Sequence, residues 1–282
     1  MQGIHLFQFL IREQRKNVGA TGELTLLLSD IATACKGIAH AVNRGALSGT
    51  LGVAGSENVQ GESQKQLDLI THEILVRSLE WTGHLAGMVS EEVAEPIAIP
   101  EAYPRGKYLV AFDPLDGSSN IDLNLSVGSI FSILRSPEAQ GEMSAADFLQ
   151  QGVTQVAAGF CVYGPATVLI LTTGNGVNGF PLDRDIGEFI LTHPDMRVPA
   201  DTREFAINIS NQRYWEAPVQ RYIDECLKGT DGGREKNFNM RWVASMVAEI
   251  YRILTRGGIF LYPADNKNPA QPCLLYTSDA AD

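Results

Sequence analysis

Only four cysteines are spread through 282 residues, at Cys35, Cys161, Cys226 and Cys273, with none of the close spacings that bind zinc or run a dithiol redox cycle. A disulfide framework and a zinc fold are thereby excluded, and buried reduced thiols are expected. Histidine is equally sparse: the five are scattered and form no ligand pair. No apolar run reaches the ~18 residues that span a bilayer, and no basic stretch followed by an apolar one opens the chain. A cytoplasmic location is the expectation. Positive charge is also short, with 22 Lys and Arg against 33 Asp and Glu for a net charge of −11. Nucleic acid is a poor partner for such a chain, because a phosphate backbone needs a basic face. A phosphorylated ligand would have to be met by bound cations and a few local Arg or Lys side chains. Apolar residues, by contrast, are plentiful at 44%, enough for one large core or two ordinary ones.

Residues 1–23 are polar and mixed and end in Gly19-Ala-Thr-Gly-Glu23, a loop whose Thr21 could cap the next helix. Leu24, Leu27, Leu28, Ile31, Cys35, Ile38 and Val42 then recur at helical spacing, and Gly45 is a natural stop. A Gly- and Ser-rich loop over 47–61 leads to a second helix over 64–79, with Asp68 beside its inward face. A short strand over 85–89 runs into Glu91-Glu92, and a Pro-containing loop joins it to a strand over 108–112. Further strands are expected at 130–134, 157–163 and 167–171, the last two a hairpin closed at Gly164-Pro165. A domain boundary is placed between His193 and Asp201, dividing the chain into 1–196 and 197–282. Beyond it come a strand over 204–209, a helix over 218–227, a helix carrying Val243, Met246, Val247, Ile250, Ile253 and Leu254, and a short buried strand at Ile259-Phe-Leu-Tyr262. Helices and hairpins mix without a strict βαβ repeat, so the fold class is α+β, layered, with mixed sheets.

The most informative segment is Asp113-Pro-Leu-Asp-Gly-Ser-Ser-Asn-Ile-Asp122, directly after the apolar run Tyr108-Leu-Val-Ala-Phe112. A buried strand delivers two carboxylates to one point. Pro114 stiffens what is read as a turn between Asp113 and Asp116, and Gly117, Ser118 and Ser119 offer N–H groups to an anion. An Asp-Pro/Asp-Gly turn with local hydrogen bonds is the plain alternative for two Asp alone; the whole decapeptide after a strand favours metal-held phosphate. Acidic residues recur at the mouths of other elements, Glu62 and Asp68, then Glu91 and Glu92. Carboxylates at that density repel unless divalent ions neutralise them, and Mg²⁺, with Mn²⁺ as a second choice, suits such oxygen ligands.

The decapeptide, Ser90-Glu-Glu92, Ile207-Asn208 and Gly257-Gly-Ile-Phe-Leu-Tyr-Pro263 occur in an order that closely resembles class I fructose-1,6-bisphosphatases, within the metal-dependent sugar phosphatases that include inositol monophosphatases. The resemblance covers roughly residues 5–270. It implies a layered α/β/α/β/α fold and Mg²⁺-dependent removal of the 1-phosphate of fructose 1,6-bisphosphate, with two or three ions per subunit. Glu91, Asp113, the Leu115 carbonyl and Asp116 would then hold metal, assisted by Glu62. Asp68 and Glu92 would position and deprotonate the attacking water. Asp116, Gly117, Ser118 and Ser119 would contact substrate at the 1-phosphate, and Asn208, Arg241 and Tyr262 would hold the 6-phosphate and sugar, Arg241 reaching across a subunit boundary. Trp242 stands where relatives often carry Tyr. Thr21, Gly22, Glu23, Thr25, Lys107 and Tyr108 resemble the family's AMP site, and a homotetramer is implied. A sedoheptulose bisphosphatase or inositol phosphatase stays open as the alternative, as does an inactive fragment that keeps ligand or subunit binding.

After Ala270 the pattern departs from the family. Gln271 stands where a substrate Lys is expected and Thr277 where a metal-binding Glu is expected. The expectation is a C-terminally truncated second domain with foreign sequence from about 271.

Overall fold

The structure, a computed structural model, describes residues 3–48, 53–57, 63–137 and 143–267. The chain forms two compact units, Met1–Met196 and Arg197–Asp282. The first begins with α1 (Leu6–Arg15), α2 (Glu23–Arg44), the antiparallel pair β1 (Val53–Glu57) and β2 (Ser63–Lys65), and α3 (Gln66–Leu79). Its strands are β3 (Leu85–Ser90), β4 (Val93–Ala98), β5 (Tyr108–Asp116), β6 (Val127–Arg135), β7 (Ala157–Tyr163), β8 (Thr167–Thr172), β9 (Val177–Asp183), β10 (Glu188–Phe189) and β11 (His193–Met196). They form one sheet in the order β10-β9-β8-β7-β6-β5-β3-β4, with β11 also on β9. Among its described pairings β3–β5 alone is parallel; the rest are antiparallel.

The helical repeat read from the sequence explains the packing. Leu27, Ile31, Cys35 and Ile38 of α2 and Leu67, Leu75 and Leu79 of α3 join Val110, Phe112, Leu169 and Phe180 of the sheet in one buried cluster. Each such side chain contributes about 1.5–3 kcal/mol by leaving water. Cys35, Cys161 and Cys226 are buried free thiols, and Cys273 lies outside the described residues.

In the second unit, β12 (Glu204–Ile207), α4 (Ala217–Leu227), β13 (Asn239–Met240), α5 (Met246–Arg256) and β14 (Ile259–Leu261) build a three-stranded sheet, β13-β12-β14, parallel throughout. Phe205 and Ile207 turn one face of β12 to Trp215, Ile223 and Cys226, a small core of its own. The whole is a mixed α+β fold, as the sequence suggested.

Four local readings are corrected. The polar opening stretch contains α1: Leu6 and Leu10, one turn apart, are buried, and Phe9 meets Phe180 edge-on at 5.2 Å. Charged residues on the other face hid this narrow stripe. Thr21 does not cap α2; Gly22 does the turning at φ 90°, and the Thr21 hydroxyl accepts from Lys107 Nζ at 3.2 Å instead. The Pro-containing loop after Glu92 holds β4, an edge strand that tolerates Pro96. The strand at Ile259–Leu261 is not buried, with Ile259 38% exposed.

Gly106 sets the approach of β5 to β3. Its N–H donates to the Leu85 carbonyl at 2.8 Å, and a Cβ there would sit 2.1 Å from the His84 carbonyl carbon. Backbone cannot yield as a side-chain tip can, so Gly106→Ala is expected to cost about 3 kcal/mol or more, read as a lowered denaturant midpoint. An unchanged midpoint would show that the strand pair tolerates displacement.

Candidate active site

The site begins at the carboxyl ends of the parallel pair. Ser90 on β3 stands beside Phe112 on β5, and the Glu91 N–H donates to the Phe112 carbonyl at 3.1 Å. One step further, Glu91 leaves β3 beside Asp113, where the parallel pairing ends and β5 runs on. In open sheets the ends of parallel strands are where ligands are held.

The Asp-Pro-Leu-Asp segment is not the turn expected from its sequence but a continuation of β5. Asp113 pairs with Ile130 and Asp116 with Gly128, so three steps on β5 match two on β6. That extra residue is a bulge. It has a direct chemical consequence: in a regular strand residues three apart face opposite sides, and one inserted residue returns Asp113 and Asp116 to the same side. Proline favours the bulge because it has no N–H for the ladder. Ser129 on β6 donates to the Pro114 carbonyl at 2.7 Å, and the buried Tyr163 hydroxyl lies 2.8 Å from Ser129 Oγ. Leu115 buries its side chain and donates its N–H to Asp113 Oδ1 at 2.9 Å. Burial first, then the charges of Glu91 and Asp116, hold the Asp113 carboxyl well above the usual carboxylate range.

A second acidic pair adjoins the first. Asp68 lies in the first turn of α3, where its Oδ2 accepts the Lys65 N–H at 2.6 Å and caps the helix. Its other oxygen, Oδ1, is buried with no hydrogen-bond partner among the described residues. Ser118 stands near enough to influence Asp68 electrostatically without closing a bond to Oδ1. Burial pushes the Asp68 carboxyl up to about 6; the Lys65 N–H opposes this and the charge of Glu92 adds to it. Glu92 is itself buried, its N–H donating to Ser90 Oγ at 3.3 Å.

Gly117, at φ 74°, turns the chain out of β5 into a 3-10 helix, Ser118–Leu123. Gly117 and Ser118 are partly buried and Ser119 is exposed. Asp122, last residue of the decapeptide, accepts a 2.8 Å ion pair from Lys65, tying this helix to the start of α3.

The donor set suits a hard divalent cation. Among the described residues no three or more His, Cys, Asp or Glu side chains are gathered closely enough to hold a metal ion by themselves. What stands at the strand ends is a set of oxygen ligands that destabilise one another when ionised, and a cation removes that repulsion. Mg²⁺ or Mn²⁺ would be held by Glu91, Asp113, the Leu115 carbonyl and Asp116. Glu62, Gln271 and Thr277 lie outside the described residues.

In the second unit, Asn208, Arg241 and Tyr262 each directly follow one of the three parallel strands. Asn208 Oδ1 accepts from the Ser210 N–H at 3.2 Å and from its hydroxyl at 2.6 Å. Tyr262 is 48% exposed rather than core, 6.5 Å from Phe260 ring to ring, and Trp242 stacks on Phe260 at 5.7 Å. In the first unit, Lys107 Nζ joins Glu23 at 2.6 Å and Thr21 at 3.2 Å and lies over the Tyr108 ring, while Thr25 Oγ1 donates to Gln14 at 2.9 Å. Thr21, Gly22, Glu23 and Lys107 therefore cluster at the start of α2, with Thr25 and Tyr108 turned into buried positions beside them.

Three supporting residues carried no signal in the sequence. Ser129 and Tyr163 brace the bulge from separate strands, and His72 of α3 bonds Ser90 Oγ at 2.9 Å, just before the acidic pair. Burial lowers the His72 pKa, with the charge of Glu73 opposing it. All three lie outside the decapeptide, on other elements, so its motif does not mark them.

The model of the fructose-1,6-bisphosphatase N-terminal domain matches residues 4–194, and that of its C-terminal domain matches residues 198–279. The second match takes in the stretch from 271 that the sequence pattern marks as foreign, so the C-terminal domain is present. The Leishmania major fructose-1,6-bisphosphatase in holo form is similar at 37% identity and a TM-score of 0.87, over 95% of this chain and 81% of that one. Its apo form gives 35% and 0.83, and its T-state 36% and 0.82, each over 99% of this chain and 84% of that one. With both domains matched in order, and the acidic cluster at the ends of β3 and β5, the chain belongs to the fructose-1,6-bisphosphatase family and is an enzyme of the fructose-bisphosphatase type.

Proposed function

We propose that this phosphatase of fructose 1,6-bisphosphate removes the 1-phosphate with Mg²⁺, yielding fructose 6-phosphate and inorganic phosphate in gluconeogenesis, in the cytoplasm and as a homotetramer. The observation that carries the reading is the β5 bulge, which turns Asp113 and Asp116 to one side next to Glu91. Bound there, the metal supplies Lewis-acid polarisation of the phosphoryl group and neutralises developing charge. Asp68, once ionised, takes the proton of the attacking water at Oδ1, and Glu92 holds that water in line. N–H groups of Gly117, Ser118 and Ser119 orient the 1-phosphate. Asn208, Arg241 and Tyr262 hold the far phosphate and the sugar; the Arg fork suits two phosphate oxygens. The cluster of Thr21, Gly22, Glu23 and Lys107 is assigned to AMP, whose inhibition requires different affinity for two states of the enzyme.

Phosphate release from fructose 1,6-bisphosphate tests the proposal. Turnover should need added Mg²⁺, disappear on chelation by EDTA and return with excess Mg²⁺. Hydrolysis indifferent to chelation would overturn the metal assignment, and release from inositol monophosphate in preference to the bisphosphate would overturn the substrate.

A further inference from the structure

Glu204 opens β12 and is only 4% exposed, yet it is a carboxylate. Three guanidinium groups converge on it. Arg256 Nη2 lies 2.5 Å and Arg241 Nε 3.4 Å from Oε1, and Arg252 Nη1 lies 3.3 Å from Oε2. Sheet register explains the Arg241 contact. Glu204 pairs with Asn239 and Phe205 with Met240 along the parallel strands, so Arg241 follows opposite Ala206, on the face that carries Glu204. The two are diagonal neighbours within reach of a long side chain.

The three arginines are not equivalent. Arg252 is consumed by the fold: its Nε bonds the fully buried Glu249 at 2.9 Å, and its terminal nitrogens reach the carbonyls of Gly257 and Ile259 at 3.3 and 3.4 Å. Arg256 is a largely exposed side chain at the end of α5. Arg241 is half-exposed, its N–H fixed to the Phe205 carbonyl at 2.8 Å and its side chain held through Nε alone. Among the described residues no acceptor takes its two Nη groups. A guanidinium gripped at Nε keeps the Nη pair for an outside anion, and a fork held in advance loses less rotamer freedom on binding.

We infer that Glu204 is a positioning residue, holding the Arg241 guanidinium by Nε so that its Nη pair is presented to the second phosphate of the sugar bisphosphate. This rests on the reading of Arg241 as a ligand of that phosphate. Glu204 itself touches no substrate; its effect passes through Arg241 alone.

The test is a double-mutant cycle with steady-state kinetics on fructose 1,6-bisphosphate and Mg²⁺. Glu204→Gln turns an amide toward the guanidiniums and should raise KM about tenfold, with a much smaller change in kcat. Arg241→Ala should raise KM at least as much, and the double variant should match Arg241→Ala alone. Effects that multiply in the double variant would make Glu204 an ordinary stabilising residue, as would a fall in kcat without a rise in KM. If Glu204→Gln does not fold, Glu204→Asp keeps the charge but withdraws it by one methylene, and it should give a severalfold rise in KM that vanishes in the Arg241→Ala background. A KM unmoved by Arg241→Ala would overturn the ligand reading of Arg241 and the role of Glu204 with it. A KM raised by Arg241→Ala but not by either Glu204 variant would overturn the Glu204 role only.

Discussion

Asp113→Asn should lower Mg²⁺-dependent turnover by about a thousandfold, equivalent to ~4 kcal/mol of barrier, while making the metal-free protein more stable. Both effects follow from one geometry. The bulge in β5 brings Asp113 against Asp116 and Glu91, and their charges add to burial in opposing its ionisation. An amide is nearly isosteric, can still accept the Leu115 N–H, and carries no charge. Repulsion in the empty cluster therefore falls, and melting in EDTA should rise by roughly 2–4 °C. Adding Mg²⁺ should reverse the ranking, because the wild type gains the binding free energy that the variant has lost. If Asp113→Asn melts lower than wild type in EDTA, the carboxylate is favourably paired without metal and the cluster is not held under mutual repulsion.

Asp68→Asn should cost about 10² to 10⁴ in kcat, the range expected for loss of a positioned general base, and should remove the acidic limb of the pH profile. The base works ionised, and burial pushes its carboxyl up to about 6, so wild-type turnover should fall as pH drops through about 6. Stability runs the other way. A carboxyl whose folded pKa lies above its unfolded value contributes stability that is present below the unfolded value and lost as pH rises through the folded one. The metal-free wild type should therefore lose part of its stability between about pH 4 and about pH 6, and Asp68→Asn should flatten that part of the curve. Asparagine retains an oxygen for the Lys65 N–H, so the start of α3 survives the change. Should an acidic limb near pH 6 persist in the variant, the proton acceptor is another group, with Glu92 the neighbour to examine.

Much of this molecule was legible from adjacent residues. The spacing of Leu27, Ile31, Cys35 and Ile38 marked α2, and Gly164-Pro165 marked the β7–β8 hairpin. The helix α1 was not, because its apolar stripe is one side chain wide and packs only once Phe180 is present. The decapeptide and its ordered companions identified the family, since such chemistry needs those residue types in a fixed succession. What the sequence could not display was the direction of each carboxylate. Asp113-Pro-Leu-Asp116 reads as a turn, and only pairing with Ile130 and Gly128 makes it a bulged strand whose two acids share a side.

Sequence by itself thus determined elements such as α2 and the β7–β8 hairpin, the family and the inventory of acids and arginines, because helical period, turn chemistry and motif order depend on residues close along the chain. Tertiary structure decided which of them act together. Ser129 beneath Pro114, His72 beside Ser90 and Glu204 under Arg241 are joined across separate elements. Strand register, set by burying one face of each sheet, chooses those pairs, and no local stretch of sequence contains it.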